Sequence, residues 1–273
     1  GNITVPEKES SSLRRLLSVA IPITASATVM SLTNVVDLMT MMRRLQAAGY
    51  SMEQANALYG NYTGLAVPMF NLPPVLIYPI ASAILPYISG SLAGGDRAGA
   101  KGYLSVSVRY AILLGMPCAA GLSVFAEEIL KLLYPAASAE TAAPMLTLLA
   151  PSCLFVGLMA VGNAGLQAYG HPGVPILSMG LGGAVKLIAG YFLIGRFGMI
   201  GVPIGTLLCY LTAVIGNMAF LARKAGNLFR WKELLLSFCA TALCMGSVWG
   251  VRVVLVDLTT ATSGSVIEDT NPY

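Results

Sequence analysis

Charge is what this sequence has least of. Only 10% of its 273 residues are Asp, Glu, Lys or Arg, against about a quarter in soluble domains. With 56% hydrophobic residues and a mean hydropathy of +0.75, the composition is that of a membrane protein. Histidine is almost missing: His171 stands alone in a turn sequence, with no metal partners and no plausible Ser–His–Asp arrangement. No Cys-x-x-Cys pair occurs. Cys118, Cys153, Cys209, Cys239 and Cys244 all lie within apolar runs and read as small buried hydrophobes. A glycine-rich phosphate loop, HExxH and a DxD cluster are all absent. The chain therefore reads as no enzyme, with no metal and no cofactor. Any energy source for it is an ion gradient, a membrane potential or a substrate gradient. The net charge of +4 does not point to nucleic acid, because Lys and Arg in such a chain mark cytoplasmic loops.

What is present is a series of long apolar runs. Residues 1–15 read as a polar cytoplasmic linker. Spans are expected over 16–42, 62–91, 104–125, 143–166, 174–195 and 198–222, which form a six-helix lobe over 16–222. A basic cytoplasmic loop (223–233), one additional transmembrane helix (234–256) and a polar tail (257–273) follow. The expected fold class is all-α, a polytopic membrane bundle of about seven helices. An N-terminus in the cytoplasm puts Lys8, Arg14, Arg15, Arg97, Lys101, Arg109, Arg223, Lys224, Arg230 and Lys232 on that side. Arg43, Arg44, Lys131, Arg196 and Arg252 then lie opposite, and ten against five favours this orientation.

Polar residues inside the spans are the candidate site. Lys186 sits mid-span, where a charge costs about 2.5–3.5 kcal/mol on insertion scales and usually faces protein or water. Gly182 and Gly190 lie four residues either side of it, on one helix stripe, with Gly183 beside them. Asn34 and Asp37 mark a polar face on the first span. Asp37 is either an interfacial carboxylate neutralised by Arg43, Arg44 or water, or a cavity group that pairs with Lys186 or exchanges a proton. The second span carries Pro68, Pro73, Pro74, Pro79 and Pro86, whose freed carbonyls need partners in lipid. Pro73 and Pro74 are hinge candidates, and Asn71 either satisfies nearby backbone or touches substrate. Asn163 and Gln167, four apart, either bond between helices or contact substrate. Glu127, Glu128 and Lys131 have the spacing of an interfacial ion-paired turn.

Several of these stretches together resemble a known family. SVAIPITASATVMSLTNVVDLMTMMRRLQAAG, the Pro-rich YGNYTGLAVPMFNLPPVLIYPIASAILPYIS, LQAYGHPGVP and IGVPIGTLLCY follow in the order seen in polysaccharide transporters of the multidrug/oligosaccharidyl-lipid/polysaccharide flippase superfamily. The likeness is strongest to proteins similar to stage V sporulation protein B. It implies two six-helix lobes around a cavity, of which this chain is similar to the second lobe plus one extra helix, and so a missing N-terminal lobe as partner. The implied function is flipping of a lipid-linked oligosaccharide or polysaccharide precursor in a bacterial plasma membrane, for envelope biogenesis. Lys186 would then attract the phosphate, Asp37 would act as counter-charge or gate, and the glycines would leave room. Membrane lipid and the lipid-linked sugar are the implied partners, and nucleic acid is not. Two alternatives stand: a cation-coupled multidrug or metabolite exporter of the same fold, and a non-transporting scaffold for cell-wall synthesis.

Overall fold

The computed structural model describes residues 38–226 together with 228, 235, 238–243, 245–247 and 250. Helix α1, described over 38–47, is the end of the first span; most of that span and of the seventh lie outside the described residues. A capping box starts the next run. The Ser51 hydroxyl accepts from the Gln54 amide at 3.1 Å, and Gln54 accepts from the Ser51 amide at 3.0 Å. From there α2 (Met52–Asn61), a π-helical turn (Tyr62–Ala66) and α3 (Val67–Ala93) make one continuous 42-residue run. Its five prolines, Pro68, Pro73, Pro74, Pro79 and Pro86, do not end it.

Gly95, with φ +77°, turns the chain into α4 (Arg97–Val124), which is capped by Asp96 accepting from Gly99 at 2.8 Å. That cap starts the helix seven residues before the expected 104. Amphipathic α5 (Ala126–Leu133) follows. The expected single span over 143–166 is two helices, α6 (Ala136–Leu149) and α7 (Ser152–Ala168), bent by 45°. Pro151 explains the break: it has no amide proton for the Thr147 carbonyl, and it disfavours helical backbone at Ala150. Hydropathy did not register the bend, because both sides of it are apolar.

Helices α8 (Gly173–Phe197) and α9 (Gly201–Ala225), joined by a 3-10 turn (Gly198–Ile200), agree closely with the spans expected there. They form an antiparallel hairpin of two membrane-length arms, about 37 Å each at 1.5 Å per residue. A Cβ on Gly201 would stand 2.6 Å from the Leu193 carbonyl carbon. One on Gly182 would stand 2.6 Å from the Cys209 carbonyl oxygen, and one on Gly216 2.6 Å from the Ser178 hydroxyl. Only glycine permits backbones this close.

Helix α7 is the centre of the bundle. Gly157 lies against Ile77 of α3, Gly162 against Met218 of α9, and Gly165 against Leu104 of α4, each within 2.9–3.1 Å of where a Cβ would be. Two apolar clusters fill the interior. One contains Leu45, Tyr62, Phe70, Leu130, Leu146 and Val202; the other contains Ile77, Leu104, Val161, Leu166, Met218 and Leu221. The protein is thus an all-α membrane bundle.

Candidate functional site

Lys186 lies midway along α8, half-buried, on a stripe with Ser178, Gly182 and Gly190. That stripe faces α9. A Cβ on Gly205 would meet the Lys186 carbonyl at 3.6 Å and its Cγ at 3.8 Å, so the lysine stem crosses α9 at a glycine. The room left at Gly182 is filled by the Cys209 backbone, a close approach of α9 to α8. Gly190 is buried on the same seam, and Gly183 is half-buried beside it. The opposite face of α8, with Ile176, Leu177, Leu181, Ile188 and Phe192 each more than 60% exposed, has no helix over it among the described residues.

Asn34 and Asp37 lie outside the described residues. Arg44, beyond them, stacks on α8: its guanidinium carbon is 3.1 Å from the Tyr191 ring centroid. At the same end the Tyr50 hydroxyl lies 2.9 Å from the Cβ position of Gly198, where φ is +62°.

On α3, Pro73 and Pro74 are buried and Asn71 is exposed. Pro74 offers no proton to the Phe70 carbonyl, and the Cys153 thiol of α7 donates to it instead, at 3.3 Å. Cys153 is therefore a donor as well as a small hydrophobe. A similar substitution is made at the break between α6 and α7. Ser123, in the last turn of α4, donates to the Thr147 carbonyl freed by Pro151 at 3.1 Å, and Thr147 donates back to the Ser123 carbonyl at 3.2 Å.

Asn163 accepts from the Asn217 amide of α9 at 2.7 Å, whereas Gln167, one turn on, is exposed. The interhelical reading of Asn163 is thus what the geometry contains, and its partner went unnoticed in the sequence. Asn217, at 1% exposure, was the signal: an amide enclosed by the apolar run AVIGNMAF. Its other polar atom, Oδ1, has no hydrogen-bond partner among the described residues. Arg109, within the expected third span, sits twelve residues into α4, roughly 18 Å along the helix.

Lys131 bonds Glu127 at 2.7 Å and Glu140 at 2.8 Å. Those hydrogen bonds hold its ammonium above its ordinary range. The acidic turn is therefore an ion-paired network and no carboxylate catalytic pair. Among the described residues no group of three or more His, Cys, Asp or Glu is placed to hold a metal. Asn71, Asn163 and Lys186 stand on three helices. α8 packs extensively on α9 but only marginally on α7, so the described part does not gather the three into one pocket.

Residues 4–269 match the family described as "Lipid II flippase MurJ". The uncharacterized membrane protein YabM of Bacillus subtilis (strain 168) is 26% identical over 235 residues, covering 86% of this chain and 43% of YabM. Stage V sporulation protein B of the same organism is 25% identical over 232 residues, covering 84% of this chain and 44% of that protein. A solved structure titled "Lipid II flippase MurJ, inward closed conformation" shares the fold with a TM-score of 0.68 at 16% identity, over 90% of this chain and 50% of that one. The chain spans about half the length of the relatives it matches.

Proposed function

This chain belongs to the lipid II flippase MurJ family, and from that premise we propose that it is one lobe of a flippase for a lipid-linked oligosaccharide or polysaccharide precursor of the cell envelope. The observation that carries the reading is the family match over residues 4–269, joined to coverage of about half of each relative. The partner is then a second, N-terminal lobe, and the cavity lies between the two. Lys186 is the group we assign to the anionic head of the substrate, as a mobile point charge on the outermost hairpin of the described bundle. Asp37 serves as its counter-charge or gate, Asn71 on the exposed face of α3 is a substrate contact, and Pro73–Pro74 is the place where the lobe flexes. The ten-against-five excess of Lys and Arg that the sequence places on the side of the N-terminus supports a cytoplasmic N-terminus, in a bacterial plasma membrane.

The packing of Gly182 against α9 changes one part of this picture. The glycine seam brings the lysine backbone close to its neighbour, and substrate clearance has to come from elsewhere. The test is reconstitution of the full-length protein in liposomes, with translocation of lipid-linked sugar followed for wild type and Lys186→Ala. A loss of tenfold or more in rate with an unchanged melting temperature is expected; that is about 1.4 kcal/mol of barrier. Normal flipping by Lys186→Ala would remove the phosphate-binding role. Absence of flipping by the wild type would remove the flippase reading.

A further inference from the structure

The two ends of the bundle have different charge. At one end, where α1, α4 and α8 finish, Arg43, Arg44, Lys131 and Arg196 are matched by Glu53, Glu127, Glu128 and Glu140. At the other end three helix termini converge: the start of α4, the end of α7 and the end of α9. Arg97 and Lys101 lie four residues apart on the first turns of α4, and Arg223 and Lys224 on the last turn of α9. The Lys101 ammonium reaches across to α9, 3.2 Å from the Cβ position of Gly226. Lys224 lies 6.0 Å over the Phe220 ring, whose edge meets His171 at 5.2 Å between centroids. Arg97 is near enough to Tyr169, at the end of α7, for its charge to act on the phenol.

Among the described residues, the acid at this end is Asp96, and its carboxylate is already engaged in capping α4 at 2.8 Å. No carboxylate is within ion-pair distance of the four cations among the described residues. Arg97 and Lys101 also sit at a helix N-terminus, where the helix dipole adds positive potential. Among the described residues this is a positive site without a neutralising carboxylate, formed by separate helices. Its depth is marked independently. Tyr87 and Tyr103 stack with ring centroids 5.7 Å apart, both exposed to the side, six residues or about 9 Å into α4 from Arg97. Aromatic pairs of this kind lie at the membrane–water interface, which puts the cations at headgroup level.

We infer that the basic end formed by Arg97, Lys101, Arg223 and Lys224 is a binding site for anionic phospholipid headgroups of the surrounding leaflet. Its phosphodiester partner neutralises charge that no described carboxylate matches, and this holds the ends of α4, α7 and α9 at a fixed depth. Juxtamembrane cations each strengthen such binding by about fivefold, so losing three weakens it on the order of 100-fold.

The test is native mass spectrometry of the full-length protein released from nanodiscs of phosphatidylglycerol and phosphatidylcholine. Wild type should retain phosphatidylglycerol over phosphatidylcholine, and Arg97→Gln/Arg223→Gln/Lys224→Gln should lose that preference. A charge-preserving Arg97→Lys/Arg223→Lys/Lys224→Arg variant should keep it, and so should Arg43→Gln/Arg196→Gln at the opposite end. Should the triple Gln variant fail to fold, retention by the wild type is titrated with salt and should fall steeply. Unchanged retention in the triple variant, equal loss in the opposite-end control, or salt-independent retention would each overturn the site. So would loss of undecaprenyl diphosphate binding alone, which would give the cations to the transported lipid.

Discussion

Helices α7 and α8 follow each other in the chain and are both strongly apolar, yet they occupy opposite positions in the bundle. α7 buries eleven of its 17 residues, and α8 buries four of its 25: Ser178, Gly182, Gly190 and Ile194. Hydrophobicity cannot separate them, because lipid tails accept Leu and Ile as readily as a protein core does. The distribution of small residues can. On α7, Gly157, Gly162 and Gly165 point to three neighbours, α3, α9 and α4. On α8, the buried small residues Ser178, Gly182 and Gly190 fall on one stripe and meet one neighbour, while Gly180 and Gly195 stand in open space. What separates the two helices is where their glycines are covered: on three sides of α7 and on one side of α8.

The sharpest way to break that comparison is Gly182→Leu. Its Cβ would land on the Cys209 carbonyl, which cannot swing aside, so destabilisation at or above the about 1–3 kcal/mol usual for overpacking is expected. Gly180→Leu, two residues away in open space, should leave the melting temperature in detergent unchanged. Equal damage at both positions would mean that the seam is not the attachment. Next is Gly165→Leu on α7, expected to cost about 1–3 kcal/mol, since the neighbours here are the movable ends of Leu104 and Leu221.

A smaller effect tests the polar tie between α7 and α9. A double-mutant cycle of Asn163→Ala and Asn217→Ala should give a coupling of about 0.6 kcal/mol, with roughly 1.7 as its upper bound. Zero coupling would show that the 2.7 Å bond does not form in the membrane. Cys153→Val should cost about 0.5–1.5 kcal/mol by leaving the Phe70 carbonyl bare, while Cys153→Ser keeps a donor and should cost less. The smallest effect is Lys131→Gln on exposed α5, with no measurable change in melting temperature. Because the Lys131 pKa is raised on folding, any contribution it makes is present at neutral pH and disappears as pH rises through the raised value.

The all-α membrane class, the α8–α9 hairpin and the ion-paired α5 turn were legible in the residues, because each rests on local spacing. The bend at Pro151 was not, since an apolar run looks alike whether straight or broken. Lys186, Gly182 and Gly190 were recognisable as a stripe, but a stripe does not say what it faces. The direction came only with the register of α9, in which Gly201, Gly205 and Cys209 recur at the same four-residue interval. Asn163 and Asn217 each stand out as an amide in an apolar run, but their pairing, 54 positions apart, needs that register too.

The crossed bonds between Ser123 and Thr147 have a mechanical meaning beyond satisfying two carbonyls. Each residue gives a hydroxyl to the other's backbone, so the two bonds share one point and one alignment of α4 against α6. Sliding either helix by a single residue would break both bonds together and free two carbonyls. Rolling about that point would stretch neither by much. If the lobe rocks during a transport cycle, this contact behaves as a pivot, and a disulfide placed across it should be tolerated where one placed a turn away should stall the motion.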